Sequence, residues 1–203
     1  LEGLDGAGTT TQTAELTRRL ALRGRRVLPT AEPSRGPIGA LARLAISKRL
    51  RGGEGQDIDR AALSLLFAAD RLDHSQAEIL PALSRGQWVV SDRYALSSLA
   101  YQTLDLPERF VVQINARALR PDLTILLDLP AERAVKRRRA VKPEADLFEE
   151  LAVQRKVERN YRRYLDRREG IPDLGPIVAL DATQPIDVVA DQIEKLVVQR
   201  FHP

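Results

Sequence analysis

Four short apolar runs punctuate the chain, each closing on a polar or turn residue: "RRVLPTAEP", "QWVVSDRY", "DLTILLDLP" and "PIVALDATQP". Their valine, leucine and isoleucine content shows little alternation, the mark of strands buried on both faces of a parallel sheet. Between them, apolar positions recur at helical spacing. Residues 10–23 carry Leu16, Leu20 and Ala21; residues 58–72 carry Ala62, Leu65, Leu66 and Ala69; residues 185–200 carry Val188, Val189, Ile193 and Leu196. Residues 147–168 are long and charged, with opposite charges three or four apart, which reads as an exposed, salt-bridged helix. Helices alternating with parallel strands predict an α/β fold of three layers, with ligands at the carboxyl ends of the strands. The polar stretches at 51–57 and 137–146 are the interruptions expected to be mobile. There is no internal repeat and no low-complexity tract.

A fifth strand is expected before the glycines of "GLDGAGTTTQ", residues 3–12, because a phosphate loop needs a strand leading into it. The chain begins at Leu1 and has no methionine, so a natural start and most of that strand are expected to lie before it. In the Gly-x4-Gly-Lys-Ser/Thr pattern, backbone N–H groups cradle phosphate, the lysine reaches the outer phosphoryl oxygens, and the hydroxyl serves magnesium. Gly3, Gly8 and Thr10 fit, but Thr9 stands where the lysine belongs. Gly3, Gly6 and Gly8 permit close backbone approach, and a helix starting near Thr9 would aim the positive end of its dipole at an anion.

Composition narrows the partner. At 203 residues and 43% hydrophobic content, the chain suits one domain, 1–203. Its net charge of +4 favours an anion. The charges are interspersed and aromatics are only 4%, which argues against a nucleic-acid surface and for a small anionic substrate. The lack of cysteine excludes disulfides, thiolate metal sites and cysteine nucleophiles. No apolar run approaches a membrane span and no leader is visible, so a cytoplasmic location without membrane contact is expected.

Three further segments carry candidate chemistry. "VVSDRY" ends a strand with Asp92, placed to hold magnesium-bound water, and Arg93, placed to reach phosphate; the same pair could equally be a local ion pair. "LLFAADRLDH" sets Phe67 and Arg71 four apart on one helix face, a ring and a guanidinium suited to a base and a phosphate, or to a core and a surface position. "ERAVKRRRAVK" offers Arg133, Arg137, Arg138, Arg139 and Lys142, as a cationic lid or as a solvated basic face. His74 and His202 lack metal-ligand spacing and no metal or catalytic role is expected of either; Trp88 opens a strand and reads as packing.

Taken in order, "LDGAGTTTQ", "EPSR", "LLFAADRLDH", "DRYALSSLAYQ", "RPDLTILLDLP" and "LDATQP" resemble the thymidylate kinase family over nearly the whole chain. The resemblance implies a P-loop fold with a five-stranded parallel sheet, helices on both faces and a mobile lid at about 131–146. It also implies transfer of the γ-phosphoryl group of ATP to dTMP, with Mg2+, by a homodimer. Carried onto this sequence, Asp5 binds the sugar 3′-hydroxyl, Phe67 stacks on thymine, and Arg71 meets the base edge with Ser97 and Gln102 nearby. Arg93 and Arg35 hold the acceptor phosphate, and Tyr101 crowds the sugar 2′ position. Thr10 and Asp92 stand on the magnesium side. Gly3, Gly6, Ala7, Gly8, Thr9, Thr10 and Thr11 surround the ATP phosphates, and Asp181 and Ala182 of "DATQP" border the adenine. Asp5, Arg93, Arg137 and Arg139 are the expected catalytic set.

Two departures stand out. Many bacterial members read Thr-Arg-Glu-Pro where this chain has "TAEP", so Ala31 removes an arginine. At Thr9 the loop lysine is gone, and "GAG" matches members that bring arginine from a lid instead. Three readings remain: a working dTMP kinase, a nucleotide-binding relative with little turnover, and a kinase for another deoxynucleoside monophosphate.

Overall fold

The computed structural model describes residues 1–140, 147–165, 167 and 172–201. Each apolar run forms a strand: β2 (Val27–Ala31), β3 (Trp88–Asp92), β4 (Thr124–Asp128) and β5 (Ile177–Asp181) follow the short β1 (Glu2–Gly3). The helices are α1 (Thr9–Leu22), α2 (Pro37–Ile46), α3 (Arg60–His74), α4 (Leu80–Ser84), α5 (Ala95–Gln102), α6 (Glu108–Asn115), α7 (Ala131–Arg139), α8 (Leu147–Leu165) and α9 (Ile186–Phe201). A single π turn, Ser75–Ile79, joins α3 to α4. None of the described helices is long and apolar enough to cross a membrane.

All strand pairs are parallel, yet the expected five-stranded sheet is not continuous. Strands β1, β4 and β5 form one sheet with β4 at its centre, and β2 pairs with β3 in another. An apolar cavity of about 430 Å³, bordered by Trp88 and Val90 on one side and Thr124 and Ile125 on the other, lies between β3 and β4. Two hydrogen bonds bridge the sheets at Leu1, whose N–H donates to Ser91 O at 2.7 Å and whose carbonyl accepts from Arg93 N at 2.8 Å. The carboxyl ends of β1 and β3 therefore stay in register, and the residues that follow them meet.

Strand β4 is buried from Thr124 to Leu127, as its unbroken apolar run requires. Helices α1 and α9 pack on each other and on β2, β3 and β5, while α5 and α8 form a second pair over β1 and β5. Arg19 fastens α1 to α9, reaching Asp191 at 2.5 Å and Glu194 at 2.9 Å while Glu15 holds its Nε at 2.7 Å. Trp88 packs edge-on against Phe201, ring centres 5.6 Å apart. Helix α7 covers only the first part of the expected lid; residues 141–146 lie outside the described residues.

Helix α2 approaches the loop after β2 so closely that Gly39 has no room for a side chain. A Cβ there would sit 2.2 Å from Ser34 O and 2.6 Å from Ser34 N, both backbone atoms. Gly39→Ala is expected to cost about 1–3 kcal/mol by overpacking. Gly53→Ala, where a Cβ would meet nothing within 4 Å, is expected to be near neutral. Denaturant unfolding of the two variants checks the difference, and equal stabilities would contradict the close contact.

Candidate functional site

The loop between β1 and α1 closes as the glycines allow. Gly6 and Gly8 take φ of 95° and 96°, in the left-handed region where a side chain is strained, and Ala7 N donates back to Leu4 O at 2.9 Å. Gly8 caps α1 without a side-chain bond, which leaves the first N–H groups of the helix free to face an anion. Thr9 opens the helix and is buried. Helix α7 leans onto this loop: a Cβ on Gly6 would lie 2.3 Å from Ala134 O and 3.3 Å from Arg138 N.

Where the magnesium side is expected, Thr10 Oγ1 donates to Asp92 Oδ2 at 2.5 Å, joining α1 to the end of β3. The other carboxylate oxygen, Asp92 Oδ1, is buried without a partner among the described residues. Hard oxygens from a hydroxyl and a carboxylate, one of them unsatisfied, suit Mg2+ and its bound water.

Immediately after β3, Arg93 adopts φ 69°, a left-handed backbone that costs a non-glycine residue roughly 1–2 kcal/mol. Its side chain repays that strain by folding over the loop. Nη2 meets Asp5 Oδ1 at 2.6 Å, and Nη1 donates to Gly3 O at 2.9 Å and to Ser97 Oγ at 3.1 Å. Tyr101 lies beneath, 5.3 Å from guanidinium carbon to ring centre, and its hydroxyl accepts from Asp5 N at 3.1 Å. Burial raises the Tyr101 pKa above the usual phenol value, against the pull of Arg93, so the hydroxyl keeps its proton. Asp5, Arg93 and Tyr101, expected respectively at the 3′-hydroxyl, the acceptor phosphate and the 2′ edge, are thus one cluster.

Two residues that the sequence did not single out brace this cluster. Glu2 is fully buried and accepts from Tyr94 N at 2.8 Å, Ser97 N at 3.2 Å and Ser97 Oγ at 2.5 Å. It caps α5 from a different strand, since Tyr94 at the helix start supplies no side-chain cap. Burial pushes the Glu2 carboxyl pKa up, while the Leu1 amino group, Ser97 and Arg93 pull it down. Tyr161, reaching in from α8, donates to Gly3 O at 3.1 Å and lies 3.0 Å from Ser97 Oγ. Only the Gly3-adjacent acid of the loop strand and the tyrosine spacing of α8 hint at these roles in sequence.

Phe67 is half-buried and Arg71, one turn on, is fully buried. Arg71 Nη1 donates to Asn115, and Nη2 donates to Ser98 Oγ at 3.1 Å. Nη2 also lies 2.7 Å from Glu32 Oε2, an ion pair by distance though not aligned as a hydrogen bond. The guanidinium stacks 5.2 Å from the Tyr94 ring centre, and its Nε has no partner. Ser97 and Ser98, one step apart on α5, face different arginines: Ser97 turns to Arg93, Ser98 to Arg71. Gln102 Oε1 accepts from Ser64 Oγ at 2.5 Å, which sets it beside α3.

The remaining expected residues are scattered. Arg35 is exposed, and the nearby backbone is instead held by Arg43, which donates to Pro33 O at 2.9 Å and to Ser34 O. Arg137 Nη1 donates to Ala182 O at 3.0 Å, tying α7 to the turn after β5. That turn is shaped by Asp181, which accepts from Thr183 N at 2.8 Å and whose pKa is lowered by the same partner. Arg139 lies 3.5 Å from Glu150 on α8, as does Arg138 at 2.5 Å. Thr11 is exposed on α1.

The sequence model of the family described as thymidylate kinase matches residues 1–193. Among curated proteins, a probable thymidylate kinase of Pyrococcus horikoshii is 43% identical over 197 residues, covering 94% of this chain and 92% of that one. A probable thymidylate kinase of Pyrobaculum calidifontis is 38% identical, covering 97% and 93%. One of Staphylothermus marinus is 37% identical, covering 99% and 94%.

The contact of α7 with the loop separates two glycines. Gly8→Ala meets only the left-handed backbone, with open space around a Cβ, whereas Gly6→Ala adds a collision with the Ala134 carbonyl. Gly6→Ala is expected to weaken binding of a non-hydrolysable ATP analogue by about tenfold more than Gly8→Ala, because the helix must leave its seat. Titration calorimetry on both variants measures this, and equal losses would contradict it.

Proposed function

Because the chain belongs to the thymidylate kinase family, we propose that it transfers the γ-phosphoryl group of ATP to dTMP, giving dTDP, although its phosphate loop carries Thr9 in place of lysine. The observation that carries this reading is the 2.6 Å pair of Arg93 and Asp5, which joins an acceptor-side arginine to the donor loop itself. In this reading Arg93 and Arg35 hold the acceptor phosphate, Asp5 takes the 3′-hydroxyl, and Tyr101 disfavours a ribose. Phe67 and Arg71 take the thymine, with Ser97 and Gln102 on its flank, and the unpartnered Arg71 Nε supports a waiting base contact. Thr10 and Asp92 hold Mg2+, which offsets charge on the phosphates. The whole chain acts as one kinase domain, and the enzyme works as a homodimer.

Phosphoryl transfer rests on positioning and on stabilising charge that spreads over the transferred group. Losing one preorganised donor costs on the order of 10²–10³ in rate, roughly 3–4 kcal/mol, whereas enzymes supply about 8–23 kcal/mol in all. A missing lysine therefore slows the reaction without forbidding it. Arg137 is the nearest supported replacement: its guanidinium sits on the turn expected to border adenine, on the helix that leans against Gly6. A short movement of α7 would bring it to the outer phosphates, with Arg139 beside it. The buried threonine at position 9 favours a second reading, a relative that binds nucleotides with little turnover.

Production of dTDP from ATP, magnesium and dTMP, followed for the protein and for Thr9→Lys, decides between the two. The kinase reading expects the protein to turn over at about 1–100 per second, and Arg137→Ala to lose about 10²-fold. Activity only in Thr9→Lys, with dTMP still raising the melting temperature of the unaltered protein, would sink it. A clear preference for dGMP over dTMP and dUMP would remove the thymine assignment of Phe67 and Arg71.

A further inference from the structure

His74 closes α3, is 2% exposed, and has an acceptor on each ring nitrogen. Nδ1 lies 3.3 Å from Glu32 Oε1, and Nε2 lies 2.7 Å from Thr30 Oγ1 and 2.9 Å from Glu78 Oε2. The Thr30 hydroxyl, with one proton, lies within reach of both Glu78 at 2.9 Å and the ring. A neutral ring protonated at Nδ1 donates to Glu32 alone, whereas the imidazolium donates to Glu32 and Glu78 together and sets a positive charge between the two carboxylates. Glu32 is shared: Oε1 goes to His74 and Oε2 to Arg71 at 2.7 Å.

We propose that His74 is a positioning residue whose imidazolium fixes Glu32, and through it the Arg71 guanidinium, so that thymine recognition depends on one buried proton. The inference rests on the reading of Arg71 as the donor to the base edge. The charged neighbours are complete enough to set the sign. Glu32 faces the ring from the segment after β2, Glu78 from the π turn, and Asp70 from one turn back on α3; Arg71 is the opposing cation, and Tyr94 and Ser75 are neutral. Burial pushes the His74 pKa down, but Glu32, Glu78 and Asp70 outweigh it and the net shift is upward. Being raised above its unfolded value of about 6.5, it contributes stability that is present below that pH and is lost as pH rises through the folded value. Above that value the ring is a neutral donor at best, its hold on Glu32 weakens, and Glu32, the carboxylate that faces Arg71, fixes that guanidinium less firmly.

Thymidine is the probe, since it presents the base without a titrating phosphate. Calorimetric affinity is expected to fall about fivefold from about pH 6.5 to about pH 9 in the unaltered protein, and to be weak and flat in His74→Gln. In His202→Gln, His74 is the sole histidine, and its imidazole titration, followed by NMR, should move up by the same factor when thymidine binds, because coupling is reciprocal. A merely structural histidine would destabilise the protein when replaced but would not titrate with the ligand. If thymidine leaves the His74 titration unmoved while Phe67→Ala still weakens thymidine, the pocket stands and the inference falls. If Phe67→Ala leaves thymidine affinity unchanged, the pocket reading falls and takes the inference with it.

Discussion

Arg93 reaching over the phosphate loop to Asp5 is the contact that organises the rest of the site. An arginine one residue beyond a strand would ordinarily turn into solvent. This one is drawn back by a carboxylate at 2.6 Å, a carbonyl at 2.9 Å and an aromatic face, and the chain accepts a left-handed backbone to keep it there. The pair couples the ends of two strands from two different sheets, which also meet through the hydrogen bonds of Leu1 and Glu2. Glu2 makes the arrangement rigid from beneath, fixing the start of α5 and hence Ser97 and Tyr101. A buried carboxylate is costly unless its lone pairs are filled, and here Tyr94 N, Ser97 N and Ser97 Oγ donate to it.

A second layer lies behind the first. Arg71, Glu32, His74, Glu78 and Thr30 form a chain of charged and polar groups under α3, set in apolar packing where each partner is needed by the next. The two layers meet at α5, whose Ser97 serves Arg93 and whose Ser98 serves Arg71. The two arginines are therefore held by one short helix. None of these contacts involves position 9, so the arrangement of the two arginines does not depend on a lysine there.

Much of the framework was legible in the sequence because it rests on periodicity. Strands β2 to β5 and helices α1, α3 and α9 follow apolar spacing, and the glycine loop follows from steric need; α8 was expected from its charges as an exposed helix, yet it buries Val157, Tyr161 and Tyr164 against its neighbours. Helix α2 was not legible: its ten residues are apolar on most sides, and the reason it packs, the close approach of Gly39 to Ser34, is a tertiary contact. The apolar runs locate the strands but not their lateral pairing: β1 pairs with β4, and an apolar cavity lies between β3 and β4. Glu2 with Ser97, Tyr161 with Gly3 and Arg71 with Asn115 are separated by 95, 158 and 44 positions, and no local pattern announces such partners. His74, dismissed for want of metal spacing, proved to be held between carboxylates that the sequence scatters across two elements.

The central claim, that Asp5 and Arg93 act as one unit in receiving the acceptor, is tested most directly by a double-mutant cycle on dTMP affinity using Asp5→Asn, Arg93→Gln and the pair. If the two form one unit, either single change removes most of the binding and the double variant is hardly worse, leaving an interaction energy of about 1.5 kcal/mol or more. Losses that simply multiply would show two independent contacts, and the site would have to be rebuilt around another join.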